Sequence, residues 1–353
     1  MYNMSRKSAQ KLGKEKKVCL ITGISGSIGV HAMHHIFKNT NWDVVGIATY
    51  QHKGIAERIT EMMQDHPENW SRLTLITHDL TKPLTKHVQK KIGHVDYIIN
   101  MASLSDVEAS IQDPVPFVKN NVDLTLNMLE YARLAKPEMF IQFSTDEVYG
   151  ASGKDQRHKE WSAIVPSNPY AASKAMQEAL CISYWRTYNV PVVITNTMNN
   201  FGEFQQASKY PVIIQRALME GKTLTVHGKK GNIGTRYYIH SRNASDALIF
   251  LMKHCPAYLH KAGEVDRPDR YNIVGDKQVD NLELAQILAT LMKRELKYEL
   301  VDFHSTRPGH DSHYGLDGDK LKKLGWKSPL SFEKSLKNTI EWQSEHDDWI
   351  TLD

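Results

Sequence analysis

At 353 residues, 41% hydrophobic and 24% charged, the chain can bury a sizeable core, which excludes a disordered protein. Its formal charge of +4 comes from one end. Met1 to Lys17 holds Arg6, Lys7, Lys11, Lys14, Lys16 and Lys17 against Glu15 alone, so the body is near neutral and carries no nucleic-acid footprint.

Residues 1–17 read as a disordered basic tail with no apolar stretch of the kind a secretory signal needs. Val18 to Thr22 is a short apolar run closing on glycines, a buried strand by length and flanks, and Ile28 to Phe37 then reads as a helix. Further strands are expected at Trp42–Ala48, Arg72–Thr77, Tyr97–Asn100, Met139–Phe143 and Val192–Thr195, with a helix over Asn121–Ala135. Strands alternating with helices imply an α/β fold, a Rossmann-type doubly wound parallel sheet over residues 18–200. After about Asn200 the pattern loosens. Helices at Tyr210–Glu220 and Asn281–Lys293, with short β pieces at Leu224–Val226, Tyr271–Val274 and Tyr298–Val301, read as a smaller α/β substrate lobe. That lobe takes up most of 201–353, some segments returning to the nucleotide domain. Cys19, Cys181 and Cys255 form no CxxC pair, the seventeen histidines show no ligand spacing, and no apolar run approaches the roughly 18 residues of a bilayer span. A cytoplasmic protein with no metal and no membrane partner is expected.

Gly23, Gly26 and Gly29 lie in T-G-I-S-G-S-I-G between the first strand and the first helix. Glycines there permit a tight turn and close approach of the backbone to a pyrophosphate, which the helix N-terminus then attracts. An NAD site usually has an acid at the end of the second strand, about 20 residues on. Here the sequence is Ala48-Thr49-Tyr50, with His52, Lys53 and Arg58 following. Missing that carboxylate leaves NADP open beside NAD. Asp79, after the third strand, is placed to bond the adenine amino group.

Tyr170 and Lys174 stand four residues apart in Y-A-A-S-K, on one face of a helix about 140 residues after the glycine loop. A tyrosine acting as a base near neutral pH needs cationic help, which a lysine and a nicotinamide supply. Ser144-Thr145-Asp146-Glu147-Val148-Tyr149-Gly150 follows the fifth strand, whose carboxyl end faces the ligand crevice of such a sheet.

S-T-D-E-V-Y-G together with N-P-Y-A-A-S-K resembles the extended short-chain dehydrogenase/reductases, and among them the dTDP-glucose 4,6-dehydratase family. The similarity runs from about Val18 to Trp342. It includes Asn199-Asn200-Phe201-Gly202, Arg307-Pro308-Gly309-His310-Asp311, and Leu324-Gly325-Trp326 with Pro329. T-D-E is the discriminating piece: related decarboxylases usually carry T-S-E, and most 4-epimerases lack both acids.

The resemblance implies that Thr145, Asp146, Glu147, Tyr170 and Lys174 convert a nucleotide-hexose, dTDP-glucose first and UDP-glucose second, to its 4-keto-6-deoxy product. Tyr170 would take the C4 hydroxyl proton, with Thr145 bonded to that hydroxyl. Glu147 would remove the C5 proton, Asp146 would protonate the departing C6 hydroxyl, and Lys174 would bond the nicotinamide ribose. It also implies tightly bound NAD on Gly23, Ser25, Gly26, Ser27, Ile28, Gly29, Thr49, Asp79, Leu80 and Ala102, beside Tyr170 and Lys174. Substrate would meet Ser105, Asn199, Asn200, Arg236, Arg307 and His310, with either arginine clamping the diphosphate. A homodimer through the helices near Asn121–Ala135 and Tyr170–Tyr188 is the family expectation. The chain departs from the family between Asn100 and Ile111, where Leu104, Asp106 and Ala109 replace a glutamate, a histidine and an arginine, so the sugar or the nucleotide could differ. A 4-epimerase or decarboxylase would share the cofactor loop and the Tyr/Lys pair, and a cofactor-bound regulatory protein would keep the fold without turnover.

Overall fold

The computed structural model describes residues 16–51, 55–153, 156–229, 231–263, 266–302 and 313–351. The first half alternates strand and helix. Its strands are β1 (Val18–Thr22), β2 (Asp43–Ala48), β3 (Leu73–Thr77), β4 (Tyr97–Asn100), β5 (Met139–Thr145) and β6 (Val192–Thr197). Between them lie α1 (Ser27–Asn39), α2 (Ile55–Met63), α3 (Lys86–Ile92), α4 (Val107–Gln112), α5 (Pro114–Ala135) and α6 (Pro169–Tyr188). The second half holds β7 (Asn199–Phe201), α7 (Tyr210–Glu220), β8 (Leu224–Lys229), β9 (Asn232–Ile233), β10 (Thr235–His240), α8 (Ser241–His254), β11 (Asp269–Ile273), β12 (Gln278–Asp280), α9 (Asn281–Met292) and β13 (Tyr298–Val301).

Seven strands form one parallel sheet in the order β11-β6-β5-β4-β1-β2-β3. The order reverses between β1 and β4, and the crevice beyond the carboxyl ends of strands at such a switch point is where ligands bind. A sheet covered on both faces needs strands apolar on both. Cys19 and Ile21 of β1 pack on one side with Val30 and Met33 of α1 and Leu248 and Met252 of α8. Leu20 packs on the other with Leu124 and Met128 of α5 and Trp185 of α6. Small sheets β12-β10-β7 and β13-β8-β9 carry a separate core around Phe201, Ile214, Leu218, Leu288 and Phe332.

Tyr271–Val274, read from sequence into the smaller lobe, belongs instead to the large sheet. β11 pairs with β6 in parallel from Asp269 to Ile273 and forms the sheet's seventh strand. α8 likewise packs on α1, and Leu321 and Trp326 join the same core, so the chain returns to the large sheet more than once after Asn200. The tail expectation falls on 1–15, outside the described residues, except for its last two positions. Lys16 pairs with Asp43 at 2.9 Å and Lys17 with Glu138 at 2.7 Å, so these two hold to the amino-terminal ends of the sheet's inner strands. α5 begins at Pro114, seven residues before the expected start, because a proline in its first turn needs no backbone donor there.

Candidate active site

At the crevice, β1 delivers the chain into the glycine loop. A Cβ on Gly23, whose φ is +68°, would stand 2.9 Å from the Ala102 Cα, and one on Gly29 would stand 2.3 Å from the Gly23 carbonyl oxygen. No side chain caps the N-terminus of α1 at Gly26. Bare backbone facing a free helix end is a cradle for a pyrophosphate. The Thr22 hydroxyl donates to Asn100 Oδ1 (2.9 Å) and accepts from the amides of Met101 (3.0 Å) and Ala102 (3.1 Å), tying this loop to the end of β4. Arg58 is buried, its Nε donating to the Phe204 carbonyl (3.1 Å) and its Nη1 to the Ser25 carbonyl (3.3 Å). Its guanidinium therefore braces the loop. His52 and Lys53, the other cations expected near a second-strand phosphate, lie outside the described residues.

From this cradle a cavity of about 1410 Å³ runs across the ends of β4, β5 and β6 to β8 and α7. That is more than one small ligand fills and enough for a dinucleotide and a second nucleotide. Ser25, Ser27, Ile28, Thr49, Asp79, Leu80 and Ala102 line one end with the glycines. Thr145, Asp146, Glu147, Tyr170 and Lys174 line the middle, and Ser105, Asn199, Asn200 and Arg236 the far side. Arg307 and His310 lie outside the described residues. Asp79 receives the amide (2.9 Å) and hydroxyl (2.8 Å) of Thr81; these bonds outweigh burial and hold its carboxyl below the usual range.

β5 ends in Thr145, whose φ/ψ is extended, and the chain turns at once into a short 3-10 segment, Asp146–Tyr149. This puts two adjacent carboxylates in unlike surroundings. Asp146 is buried; its Oδ1 accepts from the Thr145 hydroxyl (2.9 Å), while its Oδ2 is buried with no hydrogen-bond partner among the described residues. Burial, then the charge of Glu147, pushes the Asp146 carboxyl up to about 7, against the opposing pull of Thr145 and Arg236. Glu147 is half-buried and accepts from Asn168 Nδ2 (3.1 Å).

Tyr170 and Lys174 share the inward face of α6. Burial and the charges of Glu147 and Asp146 push the Tyr170 phenol well up, with the Thr145 hydroxyl opposing. Lys174 donates to the Phe143 carbonyl at 2.7 Å; burial lowers its ammonium to about 8, and Glu178 works against that fall. The chain thus places a tyrosine needing positive charge beside a lysine able to carry it. Ser110, Ser173 and Asn121 fix this pair. Ser110 accepts from the Tyr170 amide (3.2 Å), Ser173 donates to the Tyr170 carbonyl (2.7 Å), and Asn121 donates to Ser173 (2.8 Å).

Sequence reasoning missed two residues here. Asn168 caps α6, accepting from Ala171 (2.8 Å), and also holds Glu147; an asparagine before proline at a helix start was the available signal. Lys209, just before α7, reaches across to the Ser105 carbonyl (3.2 Å), where burial lowers its ammonium against the pull of Asp106 and Glu147. Nothing in its local sequence marks it. Arg236 donates to the Thr235 carbonyl (2.8 Å) and lies over the Tyr314 ring at 4.4 Å, close enough to act on Asp146. Asp106 caps α4 through the Ala109 amide (3.0 Å). Among the described residues no group of three His, Cys, Asp or Glu could hold a metal ion, and no helix is long and apolar enough to cross a membrane.

Residues 20–339 match the family model described as GDP-mannose 4,6 dehydratase. The dTDP-glucose 4,6-dehydratase of Escherichia coli is 30% identical, covering 94% of this chain and 94% of that protein. A solved dTDP-glucose 4,6-dehydratase from Streptomyces venezuelae, with NAD bound, superposes at a TM-score of 0.80 with 27% identity over 94% of this chain and 98% of that one. A UDP-glucuronic acid 4-epimerase from Bacillus cereus superposes at 0.81 over 93% and 99%; at 23% identity it shares the fold.

Proposed function

The chain belongs to the GDP-mannose 4,6 dehydratase family, and on that premise we propose that it is an NAD-dependent hydro-lyase that removes water across C5 and C6 of a nucleotide-hexose, dTDP-glucose first and UDP-glucose second. The observation that carries this reading is the pair Asp146 and Glu147: adjacent, facing one cavity with Tyr170, the first buried with its carboxyl raised and the second half-buried and held by Asn168. An elimination needs an acid and a base at one time, whereas an epimerisation or a decarboxylation has no use for both.

NAD would rest its pyrophosphate on the Gly23–Gly29 loop and its nicotinamide ribose on Tyr170 and Lys174. When bound, it accepts the C4 hydride and returns it to C6. The rest is the chain's own chemistry. Tyr170 takes the C4 hydroxyl proton, supported by the Lys174 ammonium, and Thr145 orients that hydroxyl. The C4 ketone acidifies the C5 hydrogen, which Glu147 removes as a proton and gives back to C5 when C6 receives the hydride. Asp146, protonated near neutral pH, gives its proton to the departing C6 hydroxyl. Arg236 and Lys209 supply positive charge toward the substrate diphosphate. The fit to NAD is strengthened by Arg58, whose guanidinium is engaged with two backbone carbonyls and so is less available to a 2′-phosphate.

We also propose a cytoplasmic homodimer joined through α5 and α6, whose outward faces expose Val115, Leu126, Leu134, Met176 and Tyr188. Sedimentation would show a mass of one chain if this were wrong. The activity test is incubation with dTDP-glucose, UDP-glucose, GDP-mannose and other hexose nucleotides, followed by mass spectrometry. Loss of one water from a donor, with no net use of added NAD, is expected. An isomer of unchanged mass, or loss of carbon dioxide from a uronate donor, would replace the dehydratase reading with an epimerase or a decarboxylase.

A further inference from the structure

Behind the catalytic residues lies an ion pair that the proposed steps do not use. Arg270 Nη2 donates to Glu178 Oε2 at 2.7 Å, and neither side chain has any solvent exposure. A buried pair is weak evidence of stability, since two apolar side chains of similar volume often serve as well or better. Its other bonds point to a different role. Glu178 Oε1 accepts from Asn196 Nδ2 (2.8 Å), and the same amide group donates to the Thr145 carbonyl (3.0 Å). Arg270 Nη1 donates to the Tyr149 hydroxyl (3.3 Å), on the turn that begins with Asp146. The guanidinium lies 4.3 Å from the centre of the Trp161 ring. Tyr170, Lys174 and Glu178 recur every four residues along α6 and so share one face.

We propose that the Glu178–Arg270 pair is a positioning unit: through Asn196 and Tyr149 it locks the turn carrying Thr145, Asp146 and Glu147 onto the helix carrying Tyr170 and Lys174, and its carboxylate sustains the Lys174 ammonium. The charged and titratable groups around Lys174 favour the second half. On its own helix are Tyr170, Glu178 and Cys181; from the turn after β5, Asp146 and Glu147 act on Tyr170; from β11, Arg270 stands behind Glu178. Burial draws the ammonium down to about 8, and Glu178 is the largest influence in the other direction. An ammonium lost near neutral pH would leave the Tyr170 phenolate without the cation one helical turn away on the same face.

The inference rests on the dehydratase reading, so wild-type enzyme is assayed alongside each variant on the same donor, with NAD bound. In the Glu178→Met/Arg270→Met double variant, melting temperature, kcat, KM and the dependence of kcat on pH are measured. We expect melting close to wild type and KM within about threefold. We expect kcat at neutral pH to fall about tenfold as the turn loses its anchor, with the falling limb about one pH unit more acid, because an ammonium without its carboxylate gives up its proton at lower pH. Arg270→Lys, which keeps a cation against Glu178, should restore most of kcat and the wild-type limb. Asn196→Ala leaves the pair but cuts its link to Thr145, and should lower kcat with the limb unmoved; it carries the test if the double variant does not fold. A folded double variant with wild-type kcat and limb would overturn the proposal. So would activity losses that only track melting temperature, or an Asn196→Ala variant of undiminished kcat. A wild-type enzyme inert toward every donor would strike the dehydratase reading instead.

Discussion

Replacing Asp146 with asparagine should stabilise this protein at alkaline pH while disabling it. The carboxyl stands at about 7 in the folded chain against 3.8 for a free side chain, with burial the first cause. A folded value above the unfolded one means that the group's contribution to stability is complete below about pH 4, declines as pH rises, and is gone above about pH 7. Between pH 5 and pH 8 the wild type therefore loses about 3 kcal/mol through this one group, at about 1.4 kcal/mol per unit over the two or so units that separate pH 5 from its folded value. Asparagine keeps the acceptor for the Thr145 hydroxyl and titrates nowhere in this range. A chain of this length unfolds with an entropy of roughly 0.7 kcal/mol/K, so the difference in melting temperature between variant and wild type should move in the variant's favour by about 4 °C from pH 5 to pH 8. Activity should fall by about 10²- to 10⁴-fold, the usual worth of a positioned general acid. Differential scanning calorimetry at the two pH values reads the first quantity and product formation the second. An equal melting difference at both pH values would refute the claim that burial holds this carboxyl protonated.

Other expectations follow from the same geometry. Glu147→Gln should still oxidise C4, seen as reduction of bound nicotinamide on mixing with substrate, yet release no dehydrated product; near-normal turnover would remove Glu147 from its role. Gly29→Ala should abolish cofactor retention, because the new Cβ would meet the Gly23 carbonyl at 2.3 Å; a purified variant with a full complement of NAD would refute the cradle. Lys209→Met should raise KM about tenfold with kcat changed far less, as loss of one charge-assisted contact to a phosphate implies; an unchanged KM would leave Lys209 a strut to Ser105 only.

The nucleotide-binding half was legible because its signals are local. An apolar run into glycines sets β1 and α1, and period-four spacing sets Tyr170 and Lys174 on one face. β11 was misplaced because a strand's neighbours are not written in its own residues: Asp269–Ile273 carries Asp, Arg and Asn among its five residues and so marks neither sheet, and only pairing with β6, about seventy-five residues earlier, decides. α8 was missed for a similar reason. Its apolar face looks like any amphipathic helix, and its return to α1 is a tertiary fact. At the site, motif residues could be read, while Lys209 and the Glu178–Arg270 pair could not. Their roles arise from contacts across 104 and 92 residues of chain.

The unlike surroundings of the two carboxylates also couple them. Glu147 is the second cause of the high proton affinity of Asp146, after burial. When Glu147 takes the C5 proton its charge vanishes, and with it that part of the hold on the Asp146 proton. Asp146 becomes the stronger acid at the moment the C6 hydroxyl departs, so the protonation of the base helps to release the proton of the acid, as interacting sites must. This can be checked without substrate. In a Glu147→Gln background residue 147 is neutral at every pH, and the Asp146 carboxyl should sit lower than about 7. The growth in melting difference between Asp146→Asn and its parent from pH 5 to pH 8 should then be smaller than the roughly 4 °C expected in the wild-type background. Growth of the same size in both backgrounds would mean that burial alone raises Asp146, and that acid and base act without sensing each other.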